Sequence, residues 1–264
     1  MSTDGYGTTR ATCFLAPNPS PMTLDGTNTW VLAEPGAPRV VVVDPGPGEE
    51  PHLRRVADAV RSSGRRVGVV LLTHGHADHA EGAGRFAELV DAPVRAADPA
   101  LCVGEGTPLE DGTVVAVDGL AVTVVATPGH TADSVCLHLP ADGALLTGDT
   151  VLGRGTTVVA YPDGSLAAYL HSLRRMRALA ASSGLRLLLP AHGPVLDDPL
   201  AVLDGYLAHR AERLEQVRAA VAAGAEDPAD VVRAVYADVD PAVRFAAEAS
   251  VRAQLDYLRG AGGL

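Results

Sequence analysis

Residues 71–79 read Leu-Leu-Thr-His-Gly-His-Ala-Asp-His, an apolar run that ends in three histidines and one aspartate. The run is typical of a buried β-strand, so these polar side chains are expected directly after a strand. Imidazole and carboxylate groups together suit zinc or a similar divalent ion. Burying them without a partner would cost several kcal/mol. The cluster therefore predicts a metal site, with these ligands: His74, His76, Asp78 and His79.

Three later pieces of sequence each place one ligand-type side chain in a turn after a short hydrophobic run. They are Thr127-Pro128-Gly129-His130, Thr147-Gly148-Asp149-Thr150 and Pro190-Ala191-His192-Gly193. A two-metal site that is assembled from loops at one edge of a β-scaffold requires such a layout. The remaining histidines lack this context and are predicted to be surface or structural residues: His52, His138, His171 and His209.

In their order and spacing, the four pieces resemble the metallo-β-lactamase-fold hydrolase superfamily, over a span from Asp44 to His192. The resemblance implies that three histidines bind a first metal ion: His74, His76 and His130. It implies that three further side chains bind a second ion and that one carboxylate bridges both: Asp78, His79 and His192, with Asp149 as the bridge. Asp44, which follows four valines, matches an acid that orients a ligand imidazole in this superfamily, a role that metal sites generally need.

Two sequence positions limit which groups of the superfamily the chain can resemble. Asp149 stands at the bridging position, where secreted β-lactamases of this fold lack an aspartate. His76 stands where diiron flavoprotein relatives have a glutamate, which argues against redox iron. The resemblance then leaves the hydrolases: thioesterases of the glyoxalase II type, lactonases and small nucleases.

The pattern of elements fits an α+β protein with a four-layer αββα sandwich. Short apolar runs that end at Gly, Pro or Asp predict strands at Thr29–Ala33, Arg39–Val43, Val67–Leu72, Thr113–Val117, Ala121–Ala126, Ser134–Leu139 and Ala144–Leu146. Apolar residues at three- and four-residue steps predict helices at Glu50–Ser62, Ala80–Val90 and Ser165–Ala181.

The tail is predicted to be helical. Helical stretches are expected at Asp198–Ala223, Pro228–Tyr236 and Pro241–Leu258, with a break between the first two. Short matches resemble the winged-helix-like appendage of the lactamase-beta-like protein 2 group: Tyr206, His209, Arg210, Arg213, Val235-Tyr236, residues 250–253 and, outside the tail, residues 153–157. We therefore expect a catalytic domain at residues 1–204 and an appendage at 205–264.

Charge argues against duplex binding by this tail. From Gly224 to Leu264 there are seven acids and four arginines, so the net charge is 4 − 7 = −3. Phosphate contacts need the opposite sign. We expect the tail to pack on the catalytic domain or to shape a substrate entrance.

Composition bears on location and partners. The 264-residue chain has a formal net charge of −11, its 21 basic residues are all arginine, and its three cysteines are widely separated. An acidic chain disfavours adhesion to nucleic acid or anionic membranes. No signal-peptide or membrane-spanning pattern is visible. We expect a cytoplasmic protein without a membrane partner, and the sequence does not predict its oligomeric state.

The ligand set predicts a mechanism. Two zinc ions that share a water can lower its pKa from about 15.7 to about 7, which gives a bridging hydroxide at neutral pH. Asp78 and Asp149 are the expected catalytic residues, because both can accept a hydrogen bond from that hydroxide. Lewis-acid stabilisation of the developing charge would assist the reaction.

Three functions stay open at this point. The first is hydrolysis of an ester, thioester or lactone, on a small molecule or a carrier-bound acyl chain, which the acidic composition favours. The second is cleavage of single-stranded RNA, which the closest resemblance implies and which a strip of arginines could serve: Arg154, Arg174, Arg175, Arg177 and Arg186. The third is a zinc-binding module without turnover, which is disfavoured because structural zinc sites are closed and rich in cysteine.

Overall fold

The computed structural model describes residues 5–159, 161–237, 239 and 243–260. Within them, two mixed β-sheets pack face to face and helices cover the outer face of each sheet. Side chains of both sheets share one buried cluster, which includes Trp30, Val41 and Leu71 from the first sheet and Val122 and Leu137 from the second. The molecule thus has the four layers that the sequence predicts.

The first sheet has the strand order β1-β2-β3-β4-β5. Its strands are β1 (Ala11–Leu15), β2 (Asn28–Leu32), β3 (Arg39–Val43), β4 (Arg66–Leu71) and β5 (Val94–Arg95). β1, β2 and β3 pair antiparallel, whereas β3, β4 and β5 pair parallel. The valines of β3 are buried, as expected of a strand that is covered on both faces.

The second sheet has the strand order β11-β10-β9-β8-β7-β6. Its strands are β6 (Val114–Val117), β7 (Leu120–Ala126), β8 (Val135–Leu139), β9 (Ala144–Gly148), β10 (Leu187–Pro190) and β11 (Leu196–Asp197). β9 and β10 pair parallel, and the other neighbours pair antiparallel. β7 therefore runs in the same direction as β9, since both are antiparallel to β8.

Helices α1 (Glu50–Ser62), α2 (Ala77–Ala80) and α3 (Ala83–Val90) follow the strands of the first sheet. Leu53 and Val56 of α1 and Phe86 of α3 pack with Val42 and Val70 of the sheet, all buried. Burial of this apolar surface, at about 25 cal/mol per Å², holds the first helical layer in place.

Helix α4 (Leu166–Ser183) and the tail helices α5 (Pro199–Ala222), α6 (Pro228–Val235) and α7 (Arg244–Gly260) form the layer on the second sheet. α4 begins where the Ser165 side chain accepts a hydrogen bond from Ala168 N, and it ends at Gly184 in a left-handed conformation. One buried cluster joins Leu173 of α4, Leu203 of α5, Val231 of α6 and Val251 of α7. The tail thus shares a core with the rest of this layer.

Two sequence predictions about elements differ from the structure. The helix expected over Ala80–Val90 is divided into α2 and α3, because the amide of Gly82 donates a hydrogen bond to Gly46 O, at 3.0 Å, outside the helix. Four strands were not predicted: β1, β5, β10 and β11. β5 and β11 have only two residues each, too few for an alternating pattern.

The tail is helical as predicted, with its break before Pro228. Pro241, where the last helix was expected to begin, lies outside the described residues, and α7 is seen from Arg244. The predicted domain boundary after residue 204 lies inside α5, and the division into two domains stays a prediction. So does the winged-helix comparison, since the described tail residues form helices.

None of the helices in the described ranges is both long and apolar enough to cross a membrane.

Candidate metal centre

The predicted ligands all follow the carboxyl end of a strand. Thr73–His79 follow β4, His130 follows β7, Asp149 follows β9 and His192 follows β10. β3 and β4 run parallel, as do β9 and β10, so these ends lie at one edge of each sheet. Because the two sheets are stacked, the loops from both meet at that edge.

The structure brings all seven predicted side chains together in two groups. Within each group, one ligand atom per residue lies within 4.8 Å of the others. The first group contains His74, His76, His130 and Asp149. The second contains Asp78, His79 and His192.

In the first group, three imidazole nitrogens point at one place. His76 Nδ1 is 3.0 Å from both His74 Nε2 and His130 Nε2. The outer nitrogen of His130, Nδ1, donates a hydrogen bond to Val158 O at 2.5 Å. A neutral imidazole with its proton on Nδ1 presents a lone pair on Nε2, so the Nε2 lone pair of His130 points inward.

Asp44 fixes an imidazole in each group. Its carboxylate accepts hydrogen bonds from Thr73 N at 2.8 Å, Thr73 Oγ1 at 2.7 Å and His79 Nδ1 at 2.9 Å. Because the Thr73 hydroxyl donates to Asp44, its oxygen accepts from His74 Nδ1, at 3.1 Å. The Nδ1 atoms of His74 and His79 are therefore held by these hydrogen bonds, so that each ring turns its Nε2 to the centre, the orientation that a metal site needs.

In the second group, imidazoles and carboxylates alternate. His192 Nε2 lies 3.1 Å from Asp78 Oδ2 and 3.3 Å from Asp149 Oδ1, while its Nδ1 donates to Gly26 O at 3.1 Å. His79 Nε2 lies 3.3 Å from Asp78 Oδ2. Asp149 faces both groups, since its Oδ2 is 3.6 Å from His130 Nε2 and its Oδ1 is turned to His79 and His192.

The pKa values of the histidines differ between the two groups. Burial, reinforced by the neighbouring imidazoles, lowers the pKa of His74 and His76, so both are neutral. Burial also acts to lower the pKa of His192 and His79, but Asp149 and Asp78 outweigh it. The pKa of His192 rises to about 9, and that of His79 rises well above its ordinary value.

The pKa values of Asp78 and Asp149 are lowered despite their burial, chiefly by His79 for Asp78 and by His192 for Asp149. The two carboxylates are therefore ionised and attract positive charge into a buried place. A divalent cation would take the place of the second protons on His79 and His192 beside these carboxylates.

Two buried polar atoms of the centre, His79 Nε2 and Asp149 Oδ1, make no hydrogen bond within the described part of the chain. Unsatisfied buried atoms are rare and require an explanation. Together with the converging nitrogen lone pairs and the ionised carboxylates, they fit a metal ion. The centre is accessible, because a cavity of about 530 Å³ opens beside His76 and one of about 140 Å³ runs along His130 and Asp149.

Sequence reasoning missed the groups that hold the ligands from outside. Thr27 Oγ1 donates to Asp78 Oδ2 at 3.3 Å and accepts from Asn18 Nδ2 at 3.0 Å. The carbonyl groups of Gly26 and Val158 accept from His192 and His130. Backbone carbonyls leave no signal in the sequence. Thr73, by contrast, lies next to His74 in the motif, so its position could have suggested a contact with a ligand.

The four other histidines lie outside both groups. His52 is buried and lies 2.9 Å from Thr29 Oγ1, His138 is buried in β8, and His171 is exposed on α4. His209 is half-buried on α5 and lines a cavity.

Comparisons with known proteins agree with this geometry. The sequence model of the "Metallo-beta-lactamase superfamily" matches residues 22–182. The "Beta-lactamase-like protein 2 homolog" of Caenorhabditis elegans is 35% identical over 254 residues, which cover 94% of this chain and 83% of that protein. The "Lactamase-like protein nscB" of Aspergillus fumigatus is 35% identical over 214 residues, which cover 80% of this chain and 61% of the fungal protein.

A solved structure is also similar. The "Beta-lactamase domain protein from Burkholderia ambifaria" superposes with a TM-score of 0.81 at 26% identity, over 96% of this chain and 86% of that one. The fold, the loops that carry the seven side chains and these similarities lead to one assignment: the chain belongs to the metallo-beta-lactamase superfamily.

Proposed function

We propose that this protein is a zinc-dependent hydrolase that holds two zinc ions and cleaves an ester, thioester or lactone. The observation that carries the proposal is the meeting of seven ligand side chains, with inward-facing nitrogen lone pairs, at an accessible edge of the sandwich. Imidazole and carboxylate ligands without cysteine are typical of catalytic zinc. A closed structural site would not border two cavities.

The residues divide into two ligand sets. His74, His76 and His130 would hold one ion, and Asp78, His79 and His192 the other. The orientation of Asp149, with one oxygen toward each group, supports a bridging role. Bound zinc supplies Lewis acidity, which lowers the pKa of water to about 7 and polarises the substrate carbonyl.

Side chains of the protein would position the attacking water and the metal ligands. Asp78 and Asp149 are ionised acceptors, so each can accept a hydrogen bond from the attacking water and direct its lone pair toward the carbonyl carbon. Thr27 holds Asp78 in place through its hydroxyl group. Asp44 keeps His79 and, through Thr73, His74 in the ligand tautomer.

Charges around the centre favour an acyl substrate over RNA. The cavity beside His76 is lined by three further carboxylates, from Asp98, Asp133 and Asp163. Such a mouth repels phosphodiesters. An ester, thioester or lactone carries no obligatory charge at the scissile group.

Three of the five arginines in the expected strip form ion pairs. Arg154 pairs with Asp25 at 2.6 Å, Arg175 pairs with Asp111 at 2.6 Å, and Arg177 pairs with Asp204. Arg186 donates to the backbone carbonyl of Asp142 at 3.0 Å, and Arg174 is exposed. The three ion pairs lower the positive potential that a phosphate backbone would need, which argues against the ribonuclease alternative.

The test is to challenge zinc-loaded protein with thioesters, lactones and a labelled single-stranded RNA in parallel, with His76→Ala as the control. We expect acyl hydrolysis that His76→Ala abolishes, and no RNA cleavage. RNA cleavage that is lost in His76→Ala would establish the ribonuclease alternative instead. Zinc binding without turnover of any of these substrates would contradict the proposed activity.

A further inference from the structure

A third cavity, of about 250 Å³, lies beside the metal centre between residues 156–158 and helices α5 and α7. We call it the basic cavity. It adjoins the cavity along His130 and Asp149, because Pro21, Met22 and residues 156–158 line both. The two cavities are therefore neighbours.

Arg210 of α5 lines the basic cavity, although it is only 3% exposed. Its Nη2 donates to Thr157 O, and its guanidinium lies 5.0 Å from the centre of the Tyr169 ring. Its Nε is buried without a hydrogen-bond partner, and no carboxylate of the described residues forms an ion pair with it. A buried arginine is normally paired, because an unpaired buried charge is costly.

Two more basic side chains line the same cavity. Arg213 lies over the Tyr236 ring at 4.9 Å and donates to Gln216 Oε1 at 2.8 Å. Burial, together with the charges of Arg210 and Arg213, lowers the pKa of His209, and Glu212 of the same helix opposes this only in part. The described lining residues include no carboxylate. The two arginines therefore make the cavity electropositive, unlike the mouth beside His76.

Two adjacent backbone carbonyls link this cavity to the metal centre. Val158 O accepts a hydrogen bond from His130, and Thr157 O accepts one from Arg210. Residues 157–158 thereby hold a metal ligand on one side and a buried guanidinium on the other.

We propose that the basic cavity binds an anionic group, a carboxylate or a phosphate, at the far end of a small acyl substrate whose scissile bond lies at the metal centre. This proposal rests on the proposed function. It names the substrate class as an acidic acyl compound, and it gives the tail helices a part in substrate selection. Arginine suits this task, because its planar N–H groups match an anion's oxygens.

The test compares two aryl esters on zinc-loaded protein: neutral 4-nitrophenyl butyrate and the carboxylate mono(4-nitrophenyl) glutarate. We expect a lower KM for the glutarate ester, by about tenfold. Arg213→Gln should raise the KM for the glutarate ester by more than it raises the KM for the butyrate ester, so that the preference is lost. Arg210→Lys, which keeps the charge but loses the planar fork, should weaken the preference. Arg218→Gln is the matched control, because Arg218 lies on the same helix and pairs with Glu215.

A measurement that does not depend on turnover identifies the anion. Thermal unfolding of zinc-loaded protein is followed with glutarate, inorganic phosphate or neutral glutaramide. We expect stabilisation by glutarate or by phosphate that is reduced in Arg213→Gln and retained in Arg218→Gln. The anion that stabilises more identifies the source.

Three results would overturn the proposal. The first is equal KM for both esters in the wild-type protein, with butyrate still hydrolysed; the proposed function would survive this result. The second is an equal loss for both esters in Arg213→Gln, which would make Arg213 a merely structural residue. The third is stabilisation by the anions that is the same in Arg213→Gln as in the wild type.

Discussion

At the scale of single residues, Asp44 shows that a metal centre also depends on residues that orient its ligands. It is 1% exposed, has a positive φ of 49° and accepts three hydrogen bonds. Two of its donors, Thr73 Oγ1 and His79 Nδ1, share Oδ2. One carboxylate therefore sets the tautomers of a histidine in each half of the centre.

Asp44→Asn should weaken zinc binding by about 10–100-fold. Asparagine tolerates the positive φ, so the backbone should persist. However, the asparagine amide has an N–H donor in place of one carboxylate oxygen. At least one of the three donors that now bond to Asp44 would therefore lose its acceptor. Competition titration with a chromophoric chelator measures the affinity.

Asp118→Asn is the matched control for Asp44→Asn. Asp118 also has a positive φ, of 46°, but it pairs with Arg39 at the start of β3, at the opposite end of the strand from Asp44. Zinc affinity should not change there. Unchanged affinity in Asp44→Asn would show that the ligand tautomers do not depend on this carboxylate.

At the scale of elements, helix α4 positions the loop that carries His130. Ser172 Oγ donates to Pro128 O at 2.7 Å, and Ser165 N donates to Gly129 O at 3.0 Å. Gly129 has a φ of 144°, and a Cβ there would lie 2.4 Å from Tyr169 N. The loop can approach the helix this closely only with glycine.

Gly129→Ala should destabilise the protein by about 3 kcal/mol, because the added methyl group meets helix backbone and the φ is unfavourable. His130 should also be displaced, so zinc affinity should fall as well. Chemical denaturation and zinc titration measure the two effects. Gly84→Ala, in α3 with no atom near its Cβ position, should instead be neutral or stabilising by about 0.5–1 kcal/mol. Equal stabilities of the two variants would contradict the close packing of α4 on this loop.

The sequence predicts the elements that carry long apolar runs and the side chains that meet in the candidate metal centre. The His74–His79 motif places four candidate ligand side chains after a strand, and the ends of other strands place the remaining three. The division between α2 and α3 depends on the packing of Gly82 against a loop more than thirty residues earlier, so helical periodicity could not show it. The burial of Arg210 beside the metal centre could not be predicted from the sequence, because it depends on how α5 packs.

At the scale of the whole molecule, the negative charges are distributed unevenly. The formal net charge is −11, and carboxylates surround the mouth beside His76, whereas the basic cavity is lined by His209, Arg210 and Arg213. This polarity would orient a substrate that has an acidic end. It also explains why net charge alone could not identify the substrate.

Zinc should stabilise the whole fold, because its ligands come from loops of both sheets. Free zinc at about 100 times its Kd adds about 2.7 kcal/mol, which corresponds to about 5–10 °C in Tm for a chain of this size. Calorimetry before and after chelation measures this shift. No change in Tm upon chelation would mean that the centre does not hold zinc in the folded protein.

The most direct test of the two-ion centre is elemental analysis of zinc-reconstituted protein, wild type and Asp149→Ala. The geometry predicts about two zinc ions per wild-type chain, since two groups of ligands meet at Asp149. Asp149→Ala should hold fewer ions and lose activity by orders of magnitude while it remains folded. One ion or none in the wild type, or near-native turnover by Asp149→Ala, would contradict the two-metal account.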